Sequence, residues 1–158
     1  MTVYLVRHAK AGDPAEWEGD DFERPLSKPG RRQADRLATI LGEVPFARLL
    51  SSPALRCVQT LEPLAARRDL DVETDPALAE GRGAGPTLEL MARLGPDPVA
   101  LSTHGDVMIQ VLDALVAEGI ELADPFAYAK AGTWVLERDG DRFVRGRYLP
   151  PPPGAKHP

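Results

Sequence analysis

Two histidines and two arginines stand where phosphoryl chemistry can be done. Arg7-His8 follows the apolar run Thr2-Val3-Tyr4-Leu5-Val6, and His104-Gly105 follows Val99-Ala100-Leu101-Ser102-Thr103. A third run, Arg48-Leu49-Leu50, passes into Ser51-Ser52-Pro53-Ala54-Leu55-Arg56 and opens a helical pattern. A neutral imidazole attacks phosphorus, guanidinium forks bind non-bridging oxygens, and a helix N-terminus adds free N–H groups and partial positive charge. His8 is therefore the candidate nucleophile, Arg7 and Arg56 the candidate phosphate anchors, and His104 the catalytic group that shares transition-state charge. Ser52 and Gly105, at the two helix starts, complete the phosphate-binding set, with Ser52 also serving as an N-cap. The leaving oxygen needs a proton. Glu80, in Leu78-Ala79-Glu80-Gly81 at an expected strand end, is the candidate general acid, and Glu89 is the second choice. Such a pocket neutralises a phosphoryl group with no metal and no cofactor.

Singly, these residues have plainer readings. An Arg-His pair is usually a strand-edge accident, and Arg56 with Thr60 one turn later is ordinarily a solvated helix face. The weight comes from three separate segments, each supplying a part that the chemistry needs.

The elements that carry these segments must bring them to one edge. Short apolar runs alternate with helical patterns: Ser27 caps a helix with inward Ala34, Leu37, Ala38 and Leu41, ending near Gly42. A second helix places Leu55, Val58, Leu61 and Leu64 inward, with Arg56 and Thr60 off that stripe and Pro63 bending or restarting it. Residues 71–74 and 78–79 read as short strands, 87–94 as a short helix, and Val107, Val111, Leu112, Leu115 and Val116 as the inner face of another. Residues 133–137 and 143–148 pair as a hairpin across Asp139-Gly140. The expected fold class is α/β, a three-layer α/β/α sandwich whose mostly parallel sheet ends in an antiparallel hairpin. Ligands in such sheets bind beyond the carboxyl ends of the strands. Residues 9–25 and 81–86 are loops that frame that edge.

The 158 residues suit one domain, taken as 1–149, followed by a proline-rich tail, 150–158, that contains His157. Asp plus Glu at 24 against Lys plus Arg at 19 gives a net charge of −5, the wrong sign for a general binder of nucleic-acid polymers or anionic membranes. The cations are nonetheless mostly arginine, 15 against 4 lysines, which favours local oxyanion sites. One cysteine, Cys57, excludes a disulfide framework, and the residue six positions on is Pro63, not the arginine of a cysteine-based phosphatase. No P-loop occurs, and the histidines are too scattered for zinc. With no leader and no run of ~20 apolar residues, the expected location is cytoplasmic.

Arg7-His8-Ala9, the Ser-Ser-Pro-x-x-Arg-x-x-Gln-Thr run of 51–60 and His104-Gly105 resemble the histidine phosphatase superfamily, also called phosphoglycerate-mutase-like. Ala9 stands where the family usually has glycine, as in its small phosphohistidine-phosphatase-like branch, and Arg24-Pro25-Leu26-Ser27-x-x-Gly30-Arg31-x-Gln33-Ala34 resembles that branch too. The resemblance implies a phospho-His8 intermediate, a phosphate pocket of Arg7, Arg56 and His104, and Glu80 as the acid. It also implies a phosphorylated small molecule or a phosphohistidine protein as partner. Gly19-Asp20-Asp21, Arg56-Cys57-x-Gln59-Thr60 and Thr133-Trp134-Val135-Leu136 are similar to the phosphatase-like domain that follows a Nudix domain in some actinobacterial enzymes, which implies nucleotides as an alternative. A different class of function, a weakly catalytic phosphate-binding regulatory module, uses the same pocket for recognition alone.

Overall fold

The structure is a computed structural model that describes residues 2–152; His157 lies outside the described residues. Strand β1 (Thr2–Arg7) runs through the middle of a seven-stranded sheet together with β2 (Arg48–Ser51), β3 (Val72–Thr74), β4 (Val99–Thr103), β5 (Glu121–Leu122), β6 (Thr133–Asp139) and β7 (Arg142–Leu149). Their order is β3-β2-β4-β1-β6-β7-β5. The pairs β3–β2, β2–β4 and β4–β1 are parallel, β1–β6 and β6–β7 antiparallel, and β5 joins β7 in parallel. This is the expected α/β arrangement, mostly parallel with a late hairpin.

Four helices cover the sheet: α1 (Lys28–Leu41), α2 (Leu55–Arg68), α3 (Gly85–Ala92) and α4 (Gly105–Ala117). Successive strand residues point to opposite faces, and β1 divides its side chains accordingly. Val3 and Leu5 pack with Leu90 and Met91 of α3 and Val107, Met108 and Val111 of α4. Tyr4 and Val6 pack with Leu37 and Leu41 of α1 and Leu61 and Leu64 of α2. Two cores on opposite faces make the three layers. Each fully buried Leu in them contributes roughly 1.5–3 kcal/mol relative to exposure.

Helix α1 begins as its sequence requires: the Ser27 side chain accepts from the Gly30 N–H, and Gly42 follows the last turn. Other expectations are corrected. Helix α2 buries Arg56, Cys57, Thr60, Leu61, Leu64 and Ala65, while Leu55 and Val58 are only partly covered. Its inner face is thus turned toward the polar residues, because Arg56 and Thr60 face the strand ends. Pro63 lies inside α2 without restarting it; proline removes one N–H, and Leu61 and Leu64 hold the helix to the sheet on either side. Residues 78–79 are not a strand: Pro76–Leu78 form a single-turn 3-10 helix, capped by the Asp75 carboxylate accepting from the Ala77 N–H. Val116 is exposed rather than on the inner face of α4. Strand β5, two residues long, is too short to leave a periodic trace in the sequence. No helix among the described residues is long and apolar enough to cross a membrane.

Candidate active site

The parallel register aligns the strand ends. Arg7 lies opposite Thr103 and Ser51 opposite Ser102, so the residues that follow each strand emerge side by side. Backbone bonds extend the alignment past the strands: His8 N–H donates to the Thr103 carbonyl at 2.9 Å and Ser52 N–H to the Ser102 carbonyl at 2.9 Å. Arg7, His8, Ser52, Arg56, His104 and Gly105 thereby share one edge, and the His8 and His104 rings stand 5.6 Å apart at 69°.

His8 is held in one tautomer. Its Nδ1 lies 2.7 Å from the Ala9 carbonyl, and a carbonyl only accepts, so Nδ1 carries the proton and Nε2 keeps its lone pair. Burial pushes His8 down to about 3, with His104, Arg56 and Arg7 adding to that effect and the Ala9 carbonyl opposing it. The imidazole is therefore neutral across the physiological range. Ala9 is fixed in turn: its N–H donates at 2.9 Å to Thr60 Oγ1, which itself donates to the Arg56 carbonyl at 2.7 Å. Lys10 N–H donates to Gln33 Oε1 and Leu26 N–H to Gln59 Oε1, tying the next residues to α1 and α2. Gly30 leaves room for this, since a Cβ there would enter the Lys10 backbone.

Arg7 lies across the start of α4. A Cβ on Gly105 would come within 2.7 Å of Arg7 Cζ, so glycine lets the guanidinium lie against the helix N-terminus. Arg7 Nη1 donates to the Tyr128 carbonyl at 2.7 Å. Arg56 is only 2% exposed; its Nη1 donates to the Asp21 carbonyl at 2.9 Å, and its Nη2 meets Asp21 Oδ2 at 3.1 Å and Glu80 Oε1 at 3.0 Å. The solvated-face reading of Arg56 and Thr60 is overturned by this burial.

His104 Nε2 lies 2.8 Å from Ser52 Oγ, and its Nδ1 lies 3.7 Å from Glu80 Oε2. Burial first and Arg56 second push His104 down to about 4. Ser52 is not the α2 N-cap, which is Ala54 with no side-chain bond; its hydroxyl accepts from Ala54 N–H at 3.3 Å and steadies His104. Cys57 Sγ approaches His104 Nε2 at 3.5 Å, and burial pushes the thiol up to about 12, so it is not a thiolate nucleophile. Glu80 follows the 3-10 turn rather than a strand end, and its half-exposed carboxylate closes the Arg56 side. Asp106 Oδ2 accepts from Gly81 N–H at 2.8 Å, which anchors the Glu80 loop to α4. Glu89, the second-choice acid, is exposed on α3.

A cleft of about 390 Å³ opens between these groups, lined by Arg7, His8, Arg24, Arg56, Glu80 and Lys130 together with residues 11–14. Arg24 and Lys130 were not found by sequence reasoning as site residues. The trace available was Lys130 alone before the hairpin among few lysines, and Arg24 within the Arg-Pro-Leu-Ser run. A groove of similar volume between α1 and α2, lined by Arg31, Ala34, Asp35, Gln59, Glu62 and Pro63, contains no histidine. Among the described residues, no group of three or more His, Cys, Asp or Glu is placed to hold a metal ion.

A family model for the histidine phosphatase superfamily (branch 1) matches residues 3–88. An 8-oxo-(d)GTP phosphatase of Mycolicibacterium smegmatis is 34% identical over 96% of this chain and 48% of that protein, and Rv0525 of Mycobacterium tuberculosis is 37% identical over 53% of this chain and 45% of its own length. The chain spans about half the length of these curated relatives. Among solved structures, the protein named SixA from Agrobacterium tumefaciens is 28% identical with a TM-score of 0.74, covering 95% of this chain and 97% of that one. The protein histidine phosphatase SixA complexed with tungstate shares the fold at 24% identity, with a TM-score of 0.74 and 96% of each chain covered. With more than half of its length matched by the family model, and with both histidines and both arginines gathered at one sheet edge, the chain belongs to the histidine phosphatase superfamily.

Proposed function

We propose that the protein is a phosphatase that hydrolyses a phosphomonoester or phosphohistidine through a phospho-His8 intermediate. The observation that carries this is the Nδ1–H of His8 bound to the Ala9 carbonyl, which presents Nε2 as a neutral nucleophile in a cleft walled by Arg7 and Arg56. Nε2 attacks phosphorus in line; the phosphorus–oxygen bond of an ester, or the phosphorus–nitrogen bond of a phosphohistidine, breaks, and the leaving atom takes a proton that reaches it from water through Glu80. Arg7, Arg56, His104 and the α4 N-terminus meet the charge on the equatorial oxygens. Water then attacks the phosphohistidine, its proton passing to Glu80, and phosphate leaves. The positive charge needed at the phosphoryl group comes from side chains and helix N–H groups, so the cycle needs no cation. The family membership fits action on small phosphorylated molecules or phosphoprotein.

A second reading, a nucleotide-directed phosphatase, has its own support. Phe126 and Tyr128 are exposed, 41% and 46%, on the loop whose backbone holds Arg7, and a relative matched over 96% of this chain is an 8-oxo-(d)GTP phosphatase. Exposed rings beside a phosphate cleft can stack on a base.

Rapid quenching with radiolabelled substrate tests the intermediate. A phosphoramidate is stable in alkali and labile in acid, and His8→Ala should abolish labelling. An acid-stable, alkali-labile adduct points to a carboxylate or hydroxyl and overturns the assignment.

A further inference from the structure

The cleft holds cations beyond the two that flank His8. Arg7 and Arg56 flank His8, while Arg24 and Lys130 line the same cleft. Arg24 is almost fully buried; its Nε pairs with Asp21 Oδ1 at 3.0 Å and its Nη1 donates to the Gly12 carbonyl. The two acidic side chains of the lining are already engaged, Asp13 with the Ala15 N–H and Glu80 with Arg56. Lys130 makes no ion pair with a described residue. The charges that weigh on it are Arg7, Arg24 and Lys10, which, after burial, lower it from the usual lysine value.

The position of Lys130 is set by the backbone next to the nucleophile. Ala131 N–H lies 3.1 Å from the Arg7 carbonyl and 3.2 Å from the His8 carbonyl, and Arg7 N–H donates to the Gly132 carbonyl at 3.0 Å. Ala131 takes φ +64, a left-handed conformation that a residue with a Cβ adopts at a cost of about 1 kcal/mol or more. The clamp therefore holds Lys130 one residue from a bond to His8, among like charges and unpaired with any described carboxylate.

From this geometry we infer that Lys130, flanked by Arg24, forms an outer anion subsite that takes a second phosphate or carboxylate of the substrate while the first lies between Arg7, Arg56 and His8. The protein then prefers substrates with two anionic groups a few atoms apart. This rests on the proposed phosphate pocket and adds to it a preference that a single-phosphate pocket lacks.

Calorimetric titration with inorganic phosphate, pyrophosphate and phosphonoacetate separates the two claims. Phosphate reports the inner pocket; pyrophosphate and phosphonoacetate add a second phosphate or a carboxylate. Pyrophosphate or phosphonoacetate should bind more tightly than phosphate. Lys130→Ala should lower the affinity ratio of the tighter two-anion probe to phosphate about tenfold, the size of one charge-assisted hydrogen bond, and Lys130→Arg should restore most of it. Lys130 is exposed, so the variants test binding rather than folding. If phosphate binds but the ratio does not change in Lys130→Ala, the subsite is overturned and the pocket stands. If phosphate itself does not bind, the pocket reading falls and the subsite falls with it.

Discussion

Glu80 Oε1 lies 3.0 Å from Arg56 Nη2, so the candidate acid and a candidate phosphate anchor are ion-paired with each other. A phosphoryl oxygen arriving at Nη2 competes with that carboxylate. Binding would thus turn Glu80 away from Arg56 and toward the leaving oxygen, where a proton is needed. The same side chain stands 3.7 Å from His104 Nδ1, within reach of both groups proposed to meet the phosphate.

Glu80→Gln keeps the shape of the side chain and removes its acid–base function, so hydrolysis of alkyl phosphates should slow by about 10²-fold or more. Nitrophenyl phosphate, whose oxygen departs readily, should slow far less. Steady-state kcat for both ester types decides it. Equal losses would mean that Glu80 only orders Arg56.

Gly105 gives a separate test. In Gly105→Ala the new methyl comes within 3 Å of three Arg7 guanidinium atoms, and the flexible end of Arg7 must move. Misplacing an anchor by about 1 Å costs on the order of 10²-fold in kcat/KM. Stability should not fall, because alanine favours a helix by up to about 1 kcal/mol over glycine. Activity and thermal melting measured on the same sample should therefore diverge.

Acid should destabilise the fold through the site. His8 and His104 are pushed down to about 3 and about 4, whereas in the unfolded chain they titrate near 6.5. Between pH 6.5 and 4 the unfolded state binds more protons, so stability falls as pH falls through that window, by a few kcal/mol in all. Urea midpoints at pH 7.5 and 4.5 should show the drop. The double variant His8→Gln, His104→Gln should flatten it.

Chelation should have no effect on turnover. In the proposed mechanism the phosphoryl charge is met by Arg7, Arg56, His104 and helix N–H groups, so excess EDTA should leave the rate within error. Loss of activity restored by magnesium or zinc would overturn the mechanism.

The strand ends were legible because each apolar run stops at the residue that matters: Arg7-His8, Ser51-Ser52 and His104. Ser27 was legible as a cap for the same local reason. The inner face of α2 was not, since hydrophobic periodicity weighs Leu55 and Val58 above Arg56, whose burial is offset by Asp21 and Glu80 from distant loops. The Asp75-Pro76 pair held the information that residues 76–78 turn instead of extending, through a capping carboxylate and a preset φ. Lys130 escaped because its nearness to His8 depends on backbone bonds between chain regions more than 120 residues apart.

The alternation along β1 limits how such a fold can change. Val3 and Leu5 share a face with α4, and Arg7 continues that parity to lie against Gly105; Tyr4 and Val6 share the other face, and His8 follows them. The candidate anchor and candidate nucleophile are thus adjacent in the chain yet one step apart in the alternation that the His8 N–H bond to Thr103 carries past the strand. Deleting one residue within β1 would shift the register of the strand on one side of the gap and send those side chains to the opposite core, away from their present partners. The loops around the cleft can lengthen, shorten and drift in composition as substrates change. The spacing from Thr2 to His8 tolerates substitutions of shape but no change in count, which makes it a ruler for aligning distant relatives where identity has faded.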